Sequence, residues 1–397
     1  MFKALEKKII QVSGQVYQPA VLSFEGLLVA ASYLYGAGTV FRNQLYRSGW
    51  CGQKSLPCPV ISVGNITAGG TGKTPMAIYM ADLLTGLGRK PVVISRGYKG
   101  RSKNGAAVVG NGSDLFLDAD QAGDEPHMMA RLQQFPVVVG KNRCQAGLLA
   151  LKHLSTDIMV LDDGFQHIRL KRDIDLLLMD HDQPFGNGRM LPAGRLREPA
   201  ARALSRAHAV ILTRCPDIIP PESHPVSCLA PHLPVFFARH QPVLAGFYRA
   251  KNRHRIQGRG MHRKNALHKE GDRNENRYSN CEDKNIPGLD FIKGCSLFLF
   301  SGIAHNHAFY QTIQALGGEI LGHLEFEDHY RYKNGDIQQI VHQAKAAGAQ
   351  MVVTTHKDWV KLDPQLQWPI DFAAVGIQIK LEDEKGFERF IASWLNE

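Results

Sequence analysis

The sequence predicts an α/β protein: a mostly parallel sheet, a second and smaller α/β domain, and a membrane-associated helix at the N-terminus. Three observations carry this. From residue 59 onward, short apolar runs alternate with segments of helical period. Those runs are continuously apolar, the pattern of strands covered on both faces of a parallel sheet. The first fifty residues differ from the remainder in holding two long uncharged stretches.

Residues 9–24 and 26–41 are these stretches, each of sixteen residues, separated by Glu25. Lys3, Lys7 and Lys8 precede them, and Arg42 and Arg47 follow. Neither reaches the ~20 apolar residues of a spanning helix, and a mid-bilayer Glu costs ~2–3 kcal/mol or more. A helix lying in the interface, or a weakly hydrophobic anchor, fits residues 1–48 better than a spanning helix, a secretory signal or a soluble hairpin.

A core domain is expected over residues 49–235. Its strands read as PVISVGN (59–65), PVVIS (91–95), FPVVVG (135–140), DIMVL (157–161), DIDLLLMD (173–180) and AHAVILTR (207–214). After the first strand, Met76, Tyr79, Met80, Leu83, Leu84 and Leu87 recur at helical spacing. Pro75 suits the first turn of that helix, and Gly86 and Gly88 supply its stop. The alternation resumes at SLFLFSGI (296–303), QMVVTT (350–355) and DFAAVGIQI (371–379). This assigns a smaller α/β domain to 296–397 and a linker to 236–295.

Composition narrows the classes further. A chain of 397 residues accommodates two domains, and 44% apolar residues fill sizeable cores. Seven scattered Cys (51, 58, 144, 215, 228, 281, 295) form no C-x-x-C or Cys/His spacing. They indicate free thiols in a reducing compartment, not a disulfide scaffold or a zinc module. The net charge is +10, and residues 249–285 supply six of it through eleven basic and five acidic side chains. Tyr278 is the one aromatic between Lys251 and Lys284, so bases would find little to stack on. The segment reads as a solvated insertion; a patch for anionic lipid is the sharper alternative.

The chemistry begins at VGNITAGGTGKTP (63–75), where an apolar strand enters a Gly-rich turn and then an amphipathic helix. Backbone N–H groups and the helix dipole hold anionic phosphates in such a setting. The expected nucleotide-binding residues are Thr67, Ala68, Gly69, Gly70, Thr71, Gly72, Lys73 and Thr74, in a P-loop NTPase-like core. Lys73 would lie across the β- and γ-phosphates of ATP, and the Thr74 hydroxyl would bind Mg²⁺. Thr67 stands where this loop usually begins with Gly, so the chain needs no positive φ there. DIMVLDDG (157–164) ends an apolar strand in two carboxylates, which are costly to bury without a cation. Asp162 or Asp163 is thus the expected metal ligand.

These motifs do not stand alone. SRGYKGR (95–101), AGDEP (122–126), LDDGFQH (161–167), PFGNGRMLPAGRLREP (184–199) and KDWVKL (357–362) follow the loop in order. Together they resemble the lipid A 4′-kinases, the tetraacyldisaccharide 4′-kinases of Gram-negative bacteria. The likeness runs from about residue 20 to the C-terminus apart from 249–285, and the hydrophobic N-terminus belongs to it.

The resemblance implies transfer of the γ-phosphate of ATP to the 4′-hydroxyl of an acylated glucosamine disaccharide 1-phosphate, giving lipid IVA. It implies a place at the cytoplasmic face of the bacterial inner membrane, with no nucleic acid and no obligate protein partner. A sugar hydroxyl is a poor nucleophile and needs a group to accept its proton. In the family an Asp–His pair serves, matched here by Asp124 and by His329 in FEDHY (326–330). Glu125 is expected near the metal. Arg96 and Tyr98 follow the second strand, where ligands of open α/β sheets bind. Gln166, His167, Arg195, Arg197 and Glu198 are expected to line the cleft.

Two stretches depart from the family pattern: His307 stands where a Pro is usual, and 249–285 has no counterpart. Two other functions compete. A membrane-associated P-loop ATPase or GTPase switch would use water as acceptor. A GTPase would carry an [NT]-K-x-D string, and Thr355-His356-Lys357-Asp358 has the wrong register. A nucleic-acid-binding protein rests on the basic insertion alone.

Overall fold

A computed structural model describes residues 12–14, 20, 23–98, 100, 105–217, 224–250, 288–363 and 365–395. The chain forms two compact units, residues 1–241 with 377–397, and residues 242–376.

In the first unit, α1 (Phe24–Arg47) is a single helix of 24 residues. The Ser23 hydroxyl caps it by accepting the Gly26 N–H at 3.1 Å, with Glu25 in the first turn and Arg47 in the last. Both charges oppose the helix dipole favourably. Glu25 therefore sits at the start of this helix. The helix is long and apolar enough to cross a membrane by length and composition. Leu27, Tyr33, Leu34 and Phe41 are exposed along it, while Leu28 packs with Val12 and Ala193. Most of the earlier stretch, 9–24, lies outside the described residues.

The unit's sheet contains β1 (Val60–Asn65), β2 (Pro91–Ser95), β3 (Ala106–Asn111), β4 (Pro136–Gly140), β5 (Ile158–Asp162), β6 (Ile174–Asp180), β7 (Ala209–Thr213) and β8 (Val235–Tyr248). Their order is β8-β7-β6-β1-β5-β2-β4-β3. Neighbouring strands run parallel except β3, which lies antiparallel on β4 at the edge. The continuous apolar runs are thus buried on both faces, as a parallel sheet requires. Helix α2 (Lys73–Gly86) inserts Met76, Ala77, Met80, Ala81 and Leu84 into the core over Ile61 and Val63. Separate apolar clusters cover the opposite face.

Three further helices bear on the site. They are α3 (Ala119–Ala122), α4 (Asp124–Ala130) and α5 (Arg143–His153), all at carboxyl ends of strands or in the turns beside them. The chain completes the unit through α6 (Ala200–Leu204) and α7 (Pro225–Leu229).

The second unit holds β9 (Ser296–Ser301), α8 (Asn306–Ala315), β10 (Glu319–Glu325), α9 (Asn334–Ala346), β11 (Met351–Thr355), α10 (His356–Trp359) and β12 (Asp371–Leu381). The strands run parallel in the order β10-β9-β11-β12. Phe300, Phe372 and Trp368 lead one apolar cluster, and Leu297, Leu299 and Ile313 another.

The division falls elsewhere than the sequence suggested. Residues 235–248 are a strand and not part of a linker, and the chain end does not stay with the smaller unit. Helix α11 (Glu384–Leu395) buries Phe387 and Ile391 in the first unit's core, where Phe387 meets Phe236 edge-on at 4.9 Å. Residues 251–287, nearly all of the basic insertion, lie outside the described residues.

Candidate active site

The centre is the turn between β1 and α2. Gly72 caps α2 with φ +79°, a left-handed conformation that glycine adopts without strain. A Cβ there would lie 2.5 Å from His240 Nε2. The Asn65 side-chain amide donates to the Thr71 hydroxyl at 2.9 Å, and the Thr213 hydroxyl donates to the Thr71 carbonyl at 3.1 Å. The Arg214 guanidinium donates to the Gly70 carbonyl and to Asp180. Polar groups from three strands thus fix the loop from behind.

The first part of the loop is held differently. Ala68 N–H donates to the Arg195 carbonyl, and Arg197 N–H donates to the Ile66 carbonyl, both at 2.7 Å. Thr67 pairs antiparallel with Leu196 in this clasp and is buried. Its φ is not positive, so a β-compatible Thr serves where a Gly is more usual.

Strand β5 lies beside β1 with Val63 level with Asp162, which brings both acids to the loop. The two carboxylates face different partners. Asp162 Oδ1 accepts the Thr74 hydroxyl at 3.4 Å, and Oδ2 accepts the Ser95 hydroxyl at 3.1 Å. Asp163, at φ +53°, lies 3.8 Å from Lys73 Nζ and 3.3 Å from Arg197 Nη1. Burial and then the adjacent Asp163 push the Asp162 carboxyl up to about 6. Burial lowers the Lys73 pKa, and Asp163 is the leading opposing influence. Asp162 is therefore a carboxylate short of positive charge, next to a hydroxyl.

Among the described residues no three acidic, His or Cys side chains converge on a metal. Mg²⁺ does not require that, since it is commonly held by one or two carboxylates together with substrate phosphates and water. The hydroxyl of Thr74 and the carboxylate of Asp162 fit such an ion.

Asp124 begins α4 and is 2% exposed, with Glu125 beside it. The charge of Glu125 acts on both Lys73 and Asp162. The turn before Asp124 packs against the loop after β2. A Cβ on Gly97 would lie 3.0 Å from the Ala122 carbonyl, and one on Gly123 would lie 2.7 Å from the Tyr98 carbonyl. This close approach explains the glycines of SRGYKGR and AGDEP and sets Arg96 and Tyr98 on the rim, both exposed.

The remaining expected cleft residues divide. Gln166 donates to the Asn65 carbonyl at 2.5 Å and accepts from Arg197 at 3.2 Å, bridging the loop strand to the clasp. His167 is driven down to about 4 by burial and by Arg143, Arg172, Arg169 and Arg96, so its ring is neutral at pH 7. Glu198 is 1% exposed, paired with Arg206 at 2.7 Å, and accepts the Gln166 side-chain amide at 3.3 Å. Arg195 contributes its backbone carbonyl to the clasp. His329 lies in the second unit with φ +63°, and its Nε2 is 3.4 Å from Lys357 Nζ.

Sequence reasoning passed over Ser95, Arg206 and Arg143. Arg143 is 3% exposed, donates to the Gly140 and Lys141 carbonyls, and lies within the field of Asp162 and Asp163. The available signal was position, since Ser95 ends the parallel strand β2 and Arg143 follows the carboxyl end of β4.

The profile of the family described as tetraacyldisaccharide-1-P 4′-kinase matches residues 24–396. The chain belongs to this family. Among curated tetraacyldisaccharide 4′-kinases, that of Syntrophus aciditrophicus is 37% identical over 376 residues, 94% of each chain. That of Geobacter metallireducens is 37% identical over 92% of this chain and 96% of its own. A crystal structure of LpxK from Aquifex aeolicus, described as an apo form in complex with ATP, superposes with a TM-score of 0.69 at 31% identity. It covers 94% of this chain and 100% of that one. Membership in the 4′-kinase family makes this chain a phosphotransferase and accounts for a site built around a phosphate loop.

Proposed function

We propose that this chain transfers the γ-phosphate of ATP to the 4′-hydroxyl of an acylated glucosamine disaccharide 1-phosphate, a step of lipid A biosynthesis. The observation that carries the reading is the split acid pair at the phosphate loop, one carboxylate on Thr74 and the other between Lys73 and Arg197. That arrangement suits a nucleotide triphosphate and a divalent cation together.

Lys73 and the backbone N–H groups of residues 69–74 receive the phosphates. Thr74 and Asp162 would hold Mg²⁺, with Glu125 nearby; when bound, the ion supplies charge neutralisation at the transferred phosphoryl group. Arg197 is oriented by Asp163 and Gln166 toward the same loop. Asp124 and His329 act as the pair that accepts the proton of the sugar hydroxyl. Helix α1 presents its exposed Leu27, Leu34 and Phe41 to the cytoplasmic leaflet of the inner membrane, which delivers the acylated acceptor. The reading involves neither nucleic acid nor an obligate protein partner.

A P-loop switch with water as acceptor is disfavoured by the family relationship. Purified protein in detergent, given radiolabelled ATP, Mg²⁺ and the disaccharide 1-phosphate, should label the lipid. Equal ATP turnover with and without acceptor, and no labelled lipid, would overturn the assignment.

A further inference from the structure

The KDWVKL segment carries charges to which the phosphotransfer reading gives no task. In the second unit, the side chains of Asp358 and Lys361 are wholly shielded from solvent and lie 2.6 Å apart. Asp358 Oδ2 accepts the Gly302 N–H at 2.9 Å and the Thr355 hydroxyl at 2.7 Å. Lys361 Nζ donates to the Gly302 carbonyl at 3.4 Å. The same carbonyl accepts the backbone N–H of His329 at 3.2 Å. Gly302 is therefore gripped on both sides of its peptide and passes that constraint to His329.

His329 needs such a constraint. A non-glycine residue at φ +63° is strained and persists only where its surroundings impose it. Its ring is restrained as well, with Lys357 Nζ 3.4 Å from Nε2 and 3.2 Å from Asp328 Oδ1. A buried ion pair is a poor source of net stability, because desolvation offsets the attraction. Fixing a geometry is a use that the Asp358–Lys361 pair serves directly.

We infer that Asp358 and Lys361 are positioning residues for catalysis, holding through Gly302 the left-handed backbone that aims His329 at its work. The inference rests on His329 acting as the partner of Asp124 in proton acceptance. Neither Asp358 nor Lys361 touches substrate in this scheme. Their effect passes through the Gly302 carbonyl.

The test uses the full chain in the lipid-labelling assay. Removing both charges together (Asp358→Asn with Lys361→Met) avoids leaving a lone buried charge. It should lower kcat by about tenfold or more while KM for ATP changes by less than about twofold. Made in a His329→Ala background, the same double change should add less than about twofold, since residues acting through one group are non-additive. Gly302→Ala is the milder variant should the double one fold poorly. Its Cβ would lie 3.0 Å from Tyr332 Oη, 3.2 Å from Asp358 Oδ1 and 3.2 Å from the Glu327 carbonyl, displacing the connector itself. It should lower kcat with the same dependence on His329. A folded variant with unchanged kcat, or an equal loss in the His329→Ala background, overturns the inference. An active His329→Ala enzyme instead removes the assigned role of His329, and the inference falls with it.

Discussion

The Thr74 hydroxyl, in the first turn of α2, reaches the Asp162 carboxylate at the end of β5, 3.4 Å away. This pairing joins the phosphate loop to the neighbouring strand and concentrates negative charge where a cation would be held. The Asp162 carboxyl is raised from 3.8 to about 6 by burial and by Asp163. Because the folded pKa lies above the unfolded one, the metal-free protein loses stability as pH rises from about 4 through 6. The loss is on the order of 3 kcal/mol for this group alone. Mg²⁺ with nucleotide should thus raise Tm more at pH 8 than at pH 5, and Asp162→Asn should remove most of that difference. An identical pH dependence in the variant would show that Asp162 is not the group responsible.

Lys73 is held between the loop and Asp163. Lys73→Ala should abolish measurable phosphotransfer, a loss on the order of 10³-fold, by withdrawing charge from the transferred group. Asp163 keeps Arg197 as a partner, so Tm of the nucleotide-free protein should fall only slightly. Nucleotide titration by fluorescence, alongside turnover, checks this; wild-type affinity and rate would exclude Lys73 from the site.

Asp124 is buried at the start of α4. As a proton acceptor it should be dispensable for nucleotide binding, so Asp124→Ala should retain ATP affinity. Turnover should fall by about 10²–10⁴-fold. Loss of ATP binding would reassign Asp124 to the nucleotide.

The buried Glu198–Arg206 pair makes the opposite kind of prediction. Arg206→Leu leaves Glu198 with an uncompensated charge and should destabilise the fold by about 3–5 kcal/mol. Changing Glu198 to Gln and Arg206 to Leu together should recover much of that loss. Denaturant unfolding measures both. A fully stable Arg206→Leu variant with impaired kinetics would place Glu198 in the cleft instead.

Much of the fold was legible because parallel strands are buried on both faces and write themselves as unbroken Val, Ile and Leu. β1, β2, β4, β5, β6 and β7 all carry that mark. β3, β8 and β10 do not: β3 is a partly exposed edge strand, β10 reads EILGHLE, and β8 is interrupted by Arg239, His240, Gln241 and Pro242. The same limit applies to the site. The loop and its acids follow from local spacing, whereas Ser95 and Arg143 become neighbours of Asp162 only once the strand order is known. The different partners of Asp162 and Asp163 are likewise invisible in a D-D pair. That Glu25 stands in the first turn of α1 depends on where Ser23 caps the helix, which charge spacing does not reveal.

The two hydrogen bonds joining Ile66 and Ala68 to Arg195 and Arg197 are made entirely by main-chain atoms. Side chains at 195–197 can therefore drift without untying the nucleotide loop, whereas proline at position 68 or 197 would remove a donor outright. The loop is thus tied at its beginning by this clasp and further along by Asn65 and Arg214, which donate to the Gly69 and Gly70 carbonyls.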